Sequence, residues 1–387
     1  MTGSSDLFHK TRAAVHGKAI FQRISKAARI NLFFSASLAA AILTSCFNLP
    51  RWEYIDFKVI LCLFELMVMV KAFEEYGVLQ RIAVEISNRC QNERILTQAL
   101  CGISFLLAMF VTNEVAILTI VPILIVITRQ SDYSVIFPCI LVTMAANLGS
   151  SMTPIGNPQN LFIFSFYHLN LQAFFSFSVS MGVLSLVLLA GLSFLIKPRP
   201  IALMMEEVKV KNKSQVGIFA LLSVLAVLSV VNLLSYWITF PLIVAAVFIL
   251  NRSLLKKVNY LLLLTFVCIF IAVGNLSHIT LLESFLTQAI HSPSATYLAA
   301  LLLSQIISNV PSTVMLAPFT INVPALFYGV NIGGLGTPVA SLASIIAITL
   351  FNRAYPQKSR EFLTKFLALN LGGLIVLGLI FTLLIWQ

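Results

Sequence analysis

Four asparagines set in apolar sequence are the groups with chemistry to do. Asn113 sits in Thr112-Asn113-Glu114, and Asn309 in Ser308-Asn309-Val310-Pro311-Ser312. Asn147 opens the run Asn-Leu-Gly-Ser-Ser-Met-Thr-Pro-Ile-Gly-Asn-Pro-Gln-Asn that ends at Asn160, and Asn331 opens Asn-Ile-Gly-Gly-Leu-Gly-Thr-Pro-Val-Ala-Ser, ending at Ser341. An asparagine amide can donate to an anion or turn its hard oxygen toward a small cation. A lone Asn in a membrane helix is most simply explained by an interhelical hydrogen bond. Four in two matched pairs point to a binding site instead. Glu114, beside Asn113, is far along the chain from any basic residue, and a bare carboxylate at membrane depth is costly and repels anions. It is therefore expected to be protonated or cation-paired when an anion is bound, or else to cap the second helix of its hairpin.

The backbone around these residues must be broken. Pro154 and Pro158 remove helical donors, and Gly149 and Gly156 let the chain pass close to a ligand, while the flanks are apolar enough to sit in lipid. Non-helical backbone at membrane depth persists only where protein buries it or a polar cavity needs it. The second run matches the first: Asn147 with Asn331, Gly149 with Gly333, Thr153 with Thr337, Pro154 with Pro338, Asn157 with Ser341. Paired Gly/Pro-interrupted segments in the two halves of a chain are the sequence sign of a secondary transporter's midplane site.

Composition agrees. Hydrophobic residues make up 59% of the chain and charged residues 10%, against roughly 25% charged in soluble domains. The formal charge of +11 lies in short loops between apolar runs, which reads as membrane topology and not as a nucleic-acid surface. The six cysteines have no metal-type spacing and read as small hydrophobes. No cleaved signal peptide is expected, and residues 1–29, with six Lys and Arg against Asp6, read as a cytoplasmic lead-in.

The expected fold is an all-α polytopic membrane protein. Residues 30–196 form a first repeat and 236–387 a second, joined by a cytoplasmic linker at 197–214 and a connecting helix at 215–235. Residues 96–127 and 296–324 are each too long for one crossing of ~20 residues and too short for two, so each is expected to be a re-entrant helical hairpin tipped by its Asn. Broken helices come next, at 134–166 and 326–350. The basic residues orient the chain as an inverted repeat of about nine spans, with the N-terminus inside and the C-terminus outside. On that path only Arg51 and Lys58 fall on the outer side. Glu65, inside the second span, is a functional-site candidate as an intramembrane acid, with a helix-packing hydrogen bond the favoured reading over a substrate role.

Two Asn-tipped hairpins, each succeeded by a Gly-rich, Thr-Pro-broken helix, resemble the ion transporter superfamily, and within it the citrate-transporter-like anion permeases, which include the ArsB/NhaD type and the divalent anion/sodium symporters. The resemblance runs from about Ile30 to the end. It implies a homodimer in the plasma (inner) membrane working as an elevator. It also implies a substrate site of Thr112, Asn113, Ser150, Thr153, Asn157, Ser308, Asn309, Ser312, Thr337 and Ser341. Cation binding or coupling falls to Asn113, Glu114, Asn147, Gly149, Asn309, Asn331 and Gly333.

No Lys or Arg lies in either hairpin or in the apolar part of either broken helix. An anion there must be held by helix N-termini, backbone amides, polar side chains and co-bound cations. Sodium is the only metal these oxygens suit, and no other cofactor is expected. The expected function is secondary transport of a small carboxylate or inorganic oxyanion coupled to sodium or protons, with a cation/proton antiporter or arsenite-type efflux permease as the alternative. Other classes fare worse. The chain has no His-Glu-x-x-His, no Gly-x-Ser-x-Gly and no phosphate loop, so no enzyme or primary pump is expected. An ion channel also uses re-entrant loops, but channel filters form around one oligomeric axis, whereas two matched hairpins in one chain suit a self-contained site.

Overall fold

A computed structural model describes residues 34–130, 134–201 and 205–385. The expected cytoplasmic lead-in at 1–29 lies outside them. The described chain is helical, and its only β pairing is an isolated antiparallel bridge between Asn92 and Pro200. In order, the helices are α1 (Phe34–Ser45), α2 (Phe57–Glu75), α3 (Val78–Ser87), α4 (Glu93–Val111), α5 (Asn113–Gln130), α6 (Ile136–Gly149), α7 (Pro158–Phe166), α8 (Leu171–Ser193) and α9 (Lys213–Val230). Then come α10 (Tyr236–Asn251), α11 (Tyr260–Ser277), α12 (Thr280–Ala289), α13 (Pro293–Ile307), α14 (Asn309–Leu316), α15 (Val323–Ile332), α16 (Leu342–Ala354) and α17 (Ser359–Ile385). Five of the described helices are long and apolar enough to cross a membrane: α4, α8, α9, α11 and the segment Pro356–Ile385 that contains α17.

Short polar residues start these helices. Asp56, Asn92, Asn157, Asn170, Asn212 and Ser292 each accept a hydrogen bond from the backbone N–H three residues on, which satisfies a donor the first turn cannot. Pro158 and Pro293 occupy first-turn positions, where a missing N–H costs nothing.

The chain divides into two compact units. One comprises residues up to Ile55 together with Asn259–Ile279; in it Ala41 of α1 packs with Cys268 and Ala272 of α11. The other holds everything else, including all the residues of interest. Within it α4 packs on α6 and α13 on α15, α5 lies against α16 and α14 against α7, and α2 lies along α9. Glycine makes two of these approaches possible. A Cβ on Gly149 would come within 2.4 Å of the Phe105 carbonyl oxygen of α4, and one on Gly329 within 2.6 Å of the Tyr297 carbonyl oxygen of α13.

Several boundaries differ from the sequence expectation. Each hairpin turns at one residue only, Thr112 or Ser308, because Asn113 and Asn309 already begin the next helix. Pro311 breaks nothing, since it falls in the first turn of α14. The second limb of the second hairpin ends early at Leu316, a 3₁₀ turn comes next, and the broken helix begins at Val323. The segment after α11 contains α12. The linker at 197–214 is tied down: Glu93 N–H donates to the Arg199 carbonyl, Ile201 N–H to Gln91, and Lys211 N–H to Tyr76.

Candidate functional site

The two hairpin turns share one backbone conformation, Thr112 at φ 78°, ψ 152° and Ser308 at φ 77°, ψ 154°. That region is nearly reserved for glycine, and a residue with a Cβ held there costs on the order of 1–3 kcal/mol. Among the described residues only five non-glycines have positive φ, and these two sit at matched positions directly before Asn113 and Asn309.

Each broken helix loses its regular path at the expected place. After α6 a 3₁₀ turn, Ser150–Met152, leads into irregular backbone until Asn157 caps α7; after α15 the chain is irregular through Thr337, and a 3₁₀ turn, Pro338–Ala340, leads to Ser341 at the start of α16. The two threonines fasten the breaks to the hairpins. Thr153 donates to the carbonyl of Met109 and Thr337 to that of Gln305, at 3.0 Å, each acceptor lying four residues before its tip Asn. Both threonine hydroxyls thus serve the backbone in this arrangement.

The asparagines meet across the halves. Asn113 Nδ2 donates to Asn147 Oδ1 at 3.1 Å; the same oxygen accepts from Ser341 Oγ at 2.9 Å, and Asn147 Nδ2 donates to Ser344 Oγ at 3.2 Å. Asn157 Nδ2 donates to Asn331 Oδ1 at 3.2 Å, and Asn331 Nδ2 to Asn160 Oδ1 at 2.9 Å. Ser150 joins the clusters, donating to the Asn147 carbonyl at 2.8 Å and accepting from Asn157 Nδ2 at 3.0 Å. Since Asn147 corresponds to Asn331 and Asn157 to Ser341, the contacts Asn147–Ser341 and Asn331–Asn157 are equivalent under the sequence match. Such reciprocal pairing is what a two-fold relation between surfaces produces.

All these residues are buried, and none of their side-chain polar atoms is among those left without a partner. A ligand entering this network would have to replace amide–amide bonds. Because an amide carries both donor and acceptor, the same groups can turn N–H toward an anion or oxygen toward a cation. The N-termini of α5, α7 and α16 all open at this network, and their dipoles favour negative charge.

Not every expected residue joins it. Asn309 makes its side-chain contact with Ser308, at 3.4 Å, and lies against Gly334, while Ser308 also donates to the Ala340 carbonyl. Ser312 donates back to the Ser308 carbonyl at 2.8 Å. Gly149 and Gly333 serve close packing. Glu114 is half-buried in the first turn of α5, where its N–H donates to Asn113 Oδ1 at 3.0 Å, and no ion pair reaches it among the described residues. Three participants were not expected. Asn160 donates to the carbonyls of Ser150 and Thr153, Gln305 donates to the Gly333 carbonyl and accepts from Thr337 N–H, and Ser344 holds Asn147. Asn160 was visible as the last polar residue of its run; Gln305 and Ser344 lack any spacing that would single them out.

Residues 20–326 match the family described as citrate transporter. The chain belongs to the citrate transporter family. It is 33% identical over 329 residues to an uncharacterized transporter of Methanocaldococcus jannaschii, covering 83% of this chain and 88% of that one. It is 31% identical over 305 residues to the inner membrane protein YbiR of Escherichia coli, covering 77% and 81%. The YdaH transporter of Alcanivorax borkumensis overlaps 84% of each chain at 16% identity and a TM-score of 0.49. This citrate transporter family member is thus a multi-pass membrane transporter and not an enzyme.

Proposed function

We propose that the protein is a secondary active transporter of the plasma (inner) membrane that carries a small carboxylate or inorganic oxyanion, coupled to sodium or protons. The observation that carries this reading is the reciprocal pair Asn147–Ser341 and Asn331–Asn157, which puts the broken ends of two matched half-chains in one polar network. Helix breaks at the interface of two repeats are where transporters of this design bind substrate and coupling ion. Residues 30–196 and 236–387 act as the repeats, inverted with respect to each other, with 197–214 as the cytoplasmic connection. Two such chains pair as a homodimer, and each carries its network across the membrane as an elevator.

The substrate is held by N–H groups and helix dipoles, with Asn113 and Asn309 closing over it from the two tips. No fixed positive side chain takes part in the hydrogen-bonded network, which also suits an arsenite-type efflux substrate that needs no cationic partner.

Thermal unfolding of the purified protein against citrate, succinate, sulfate, phosphate, arsenite and sodium tests this, since a ligand at 100 times its Kd adds about 2.7 kcal/mol. One solute is expected to raise Tm in the wild type, with a dependence on sodium or pH. The gain should disappear in Asn113→Ala and Asn309→Ala, which should still purify as the native oligomer. Equal stabilisation of wild type and both variants would place the binding site elsewhere.

A further inference from the structure

Glu65 lies midway along α2, away from the helix breaks, and is fully buried. Its Oε1 accepts from Thr239 of α10 at 2.8 Å, and its Oε2 has no partner. It does not stand alone. Lys58, Cys62 and Glu65 succeed one another at four and three residues, the spacing that lines up one helix face. Each has a polar neighbour across the α9 and α10 side: Lys58 Nζ donates to Asn232 Oδ1 at 2.7 Å, Cys62 Sγ lies 3.6 Å from Ser229 Oγ, and Glu65 meets Thr239. The result is a polar seam that starts at an exposed ammonium–amide pair and ends about 10 Å along the helix at a buried carboxyl.

The other groups packed around α2 do not neutralise that carboxyl. Between Ser214 and Asn251 neither α9 nor α10 has a Lys, Arg, Asp or Glu, and α7 has none. Of the charged and titratable groups on α3 and α4, Arg81, Glu85, Glu93, Arg94 and Cys101, Glu85 pairs with Arg89, and Arg94 donates to the carbonyls of Ile196 and Phe194. At the far end of α2, Lys257 pairs with Glu75 and Lys71 with Glu74, and Lys211 N–H donates to the Tyr76 carbonyl just beyond. At the start of α2, Asp56 accepts from Ser165 and from Val59 N–H. An ionised carboxylate with one buried oxygen unpartnered and no cation costs far more than a neutral acid in the same place.

We infer that Glu65 is a proton-binding site separate from the asparagine network, loaded from the aqueous edge along the seam of Lys58–Asn232 and Cys62–Ser229. The proton comes from bulk water and forms the O–H bond on Oε2; no other bond changes. The site rests on the transport reading only insofar as its proton is the coupling ion. Further along its length α2 brings Val70 against Val111 and Val115, which flank the tip that carries Asn113 and Glu114, so the helix touches both the seam and the candidate site.

Infrared difference spectroscopy of the purified full-length protein, titrated in pH, reads the proton directly. The wild type should show the C=O stretch of a protonated carboxylic acid. Glu65→Gln, which keeps the Thr239 bond, should abolish that band, and Thr239→Val should keep it but move it to higher wavenumber, because a hydrogen bond to the carbonyl lowers its frequency. At a pH where the exposed carboxylates are ionised, a wild-type spectrum with no protonated-carboxyl component that Glu65→Gln removes overturns the inference. Since the readout needs no substrate, a band lost in Glu65→Gln supports the site even where no solute raises Tm, a result that counts against the transport reading alone.

Discussion

Thr112 and Ser308 hold the same backbone angles, yet the two halves brace their helix breaks in different ways. In the second half Gln305, on the hairpin, grips the break from outside through the Gly333 carbonyl and the Thr337 N–H. In the first half Met109 stands in that place, and the brace comes from within the broken helix, where Asn160 holds the carbonyls of Ser150 and Thr153. The tips differ too: Glu114 comes after the first Asn, Val310 and Pro311 after the second. The two turns share one backbone conformation, and the side chains around them differ. Both breaks are tied to their hairpins by a threonine, and the second is held by the Gln305 side chain as well. The first carries the acid and most of the asparagines.

Glycine substitutions should separate the halves most strongly. Gly149→Ala sets a Cβ 2.4 Å from the Phe105 carbonyl oxygen and 2.7 Å from its Cα, backbone atoms that cannot rotate away. It should cost about 3 kcal/mol or more and lower Tm steeply in detergent. Gly333→Ala also meets a carbonyl, that of Gly329 at 2.6 Å, but its other neighbour is the Ser304 side chain, so it should cost less. A larger loss for Gly333→Ala reverses the ranking of the two breaks.

Removing the unlike braces comes next. Gln305→Ala strands a part-buried carbonyl and N–H and should destabilise by about 1–2 kcal/mol. Met109→Ala should leave the first break intact, because that residue contributes only its carbonyl to Thr153.

Glu114→Gln keeps size and most hydrogen bonding while removing the charge, so its stability should change little. Reconstituted vesicles should show uptake that has lost its dependence on the driving ion or shifted its pH profile. If ion and pH dependence are unchanged, Glu114 is a helix cap and nothing more.

The smallest effects belong to two tyrosines that close each half onto the other. Tyr167, after α7, donates to the Ala317 and Thr320 carbonyls at 2.9 Å, while Tyr355, after α16, pairs with Thr128 at 2.7 Å. Each Tyr→Phe change should cost about 1 kcal/mol, with Tyr167 the larger because it serves two acceptors. Equal Tm values for wild type and both variants would show these ties to be idle.

Much of this was legible in the residues. Pro154, Pro158 and the glycines announced the breaks because local sterics alone forbid a helix there. The tips were legible as polar residues in apolar runs, and the breaks fall where the repeated Gly and Thr-Pro positions put them. The exact turning residues were hidden, since nothing in the type of Thr112 or Ser308 announces a backbone that favours glycine. Gln305 and Ser344 were hidden for another reason. Their importance comes from what faces them across the fold, and spacing along one helix does not encode a partner on another. Glu65 fell between these cases: its burial was foreseeable, but the seam leading to it depends on Ser229, Asn232 and Thr239, which only folding brings alongside α2.

The most direct test of the site is a cryo-electron microscopy map of the purified protein with the solute that raises Tm most. Density is expected among Asn113, Asn147, Asn157 and Asn331, with at least one amide–amide bond replaced by a bond to the solute. An unchanged asparagine network, with the solute instead in the groove lined by Lys197 and Arg199 beside α4, would contradict the account.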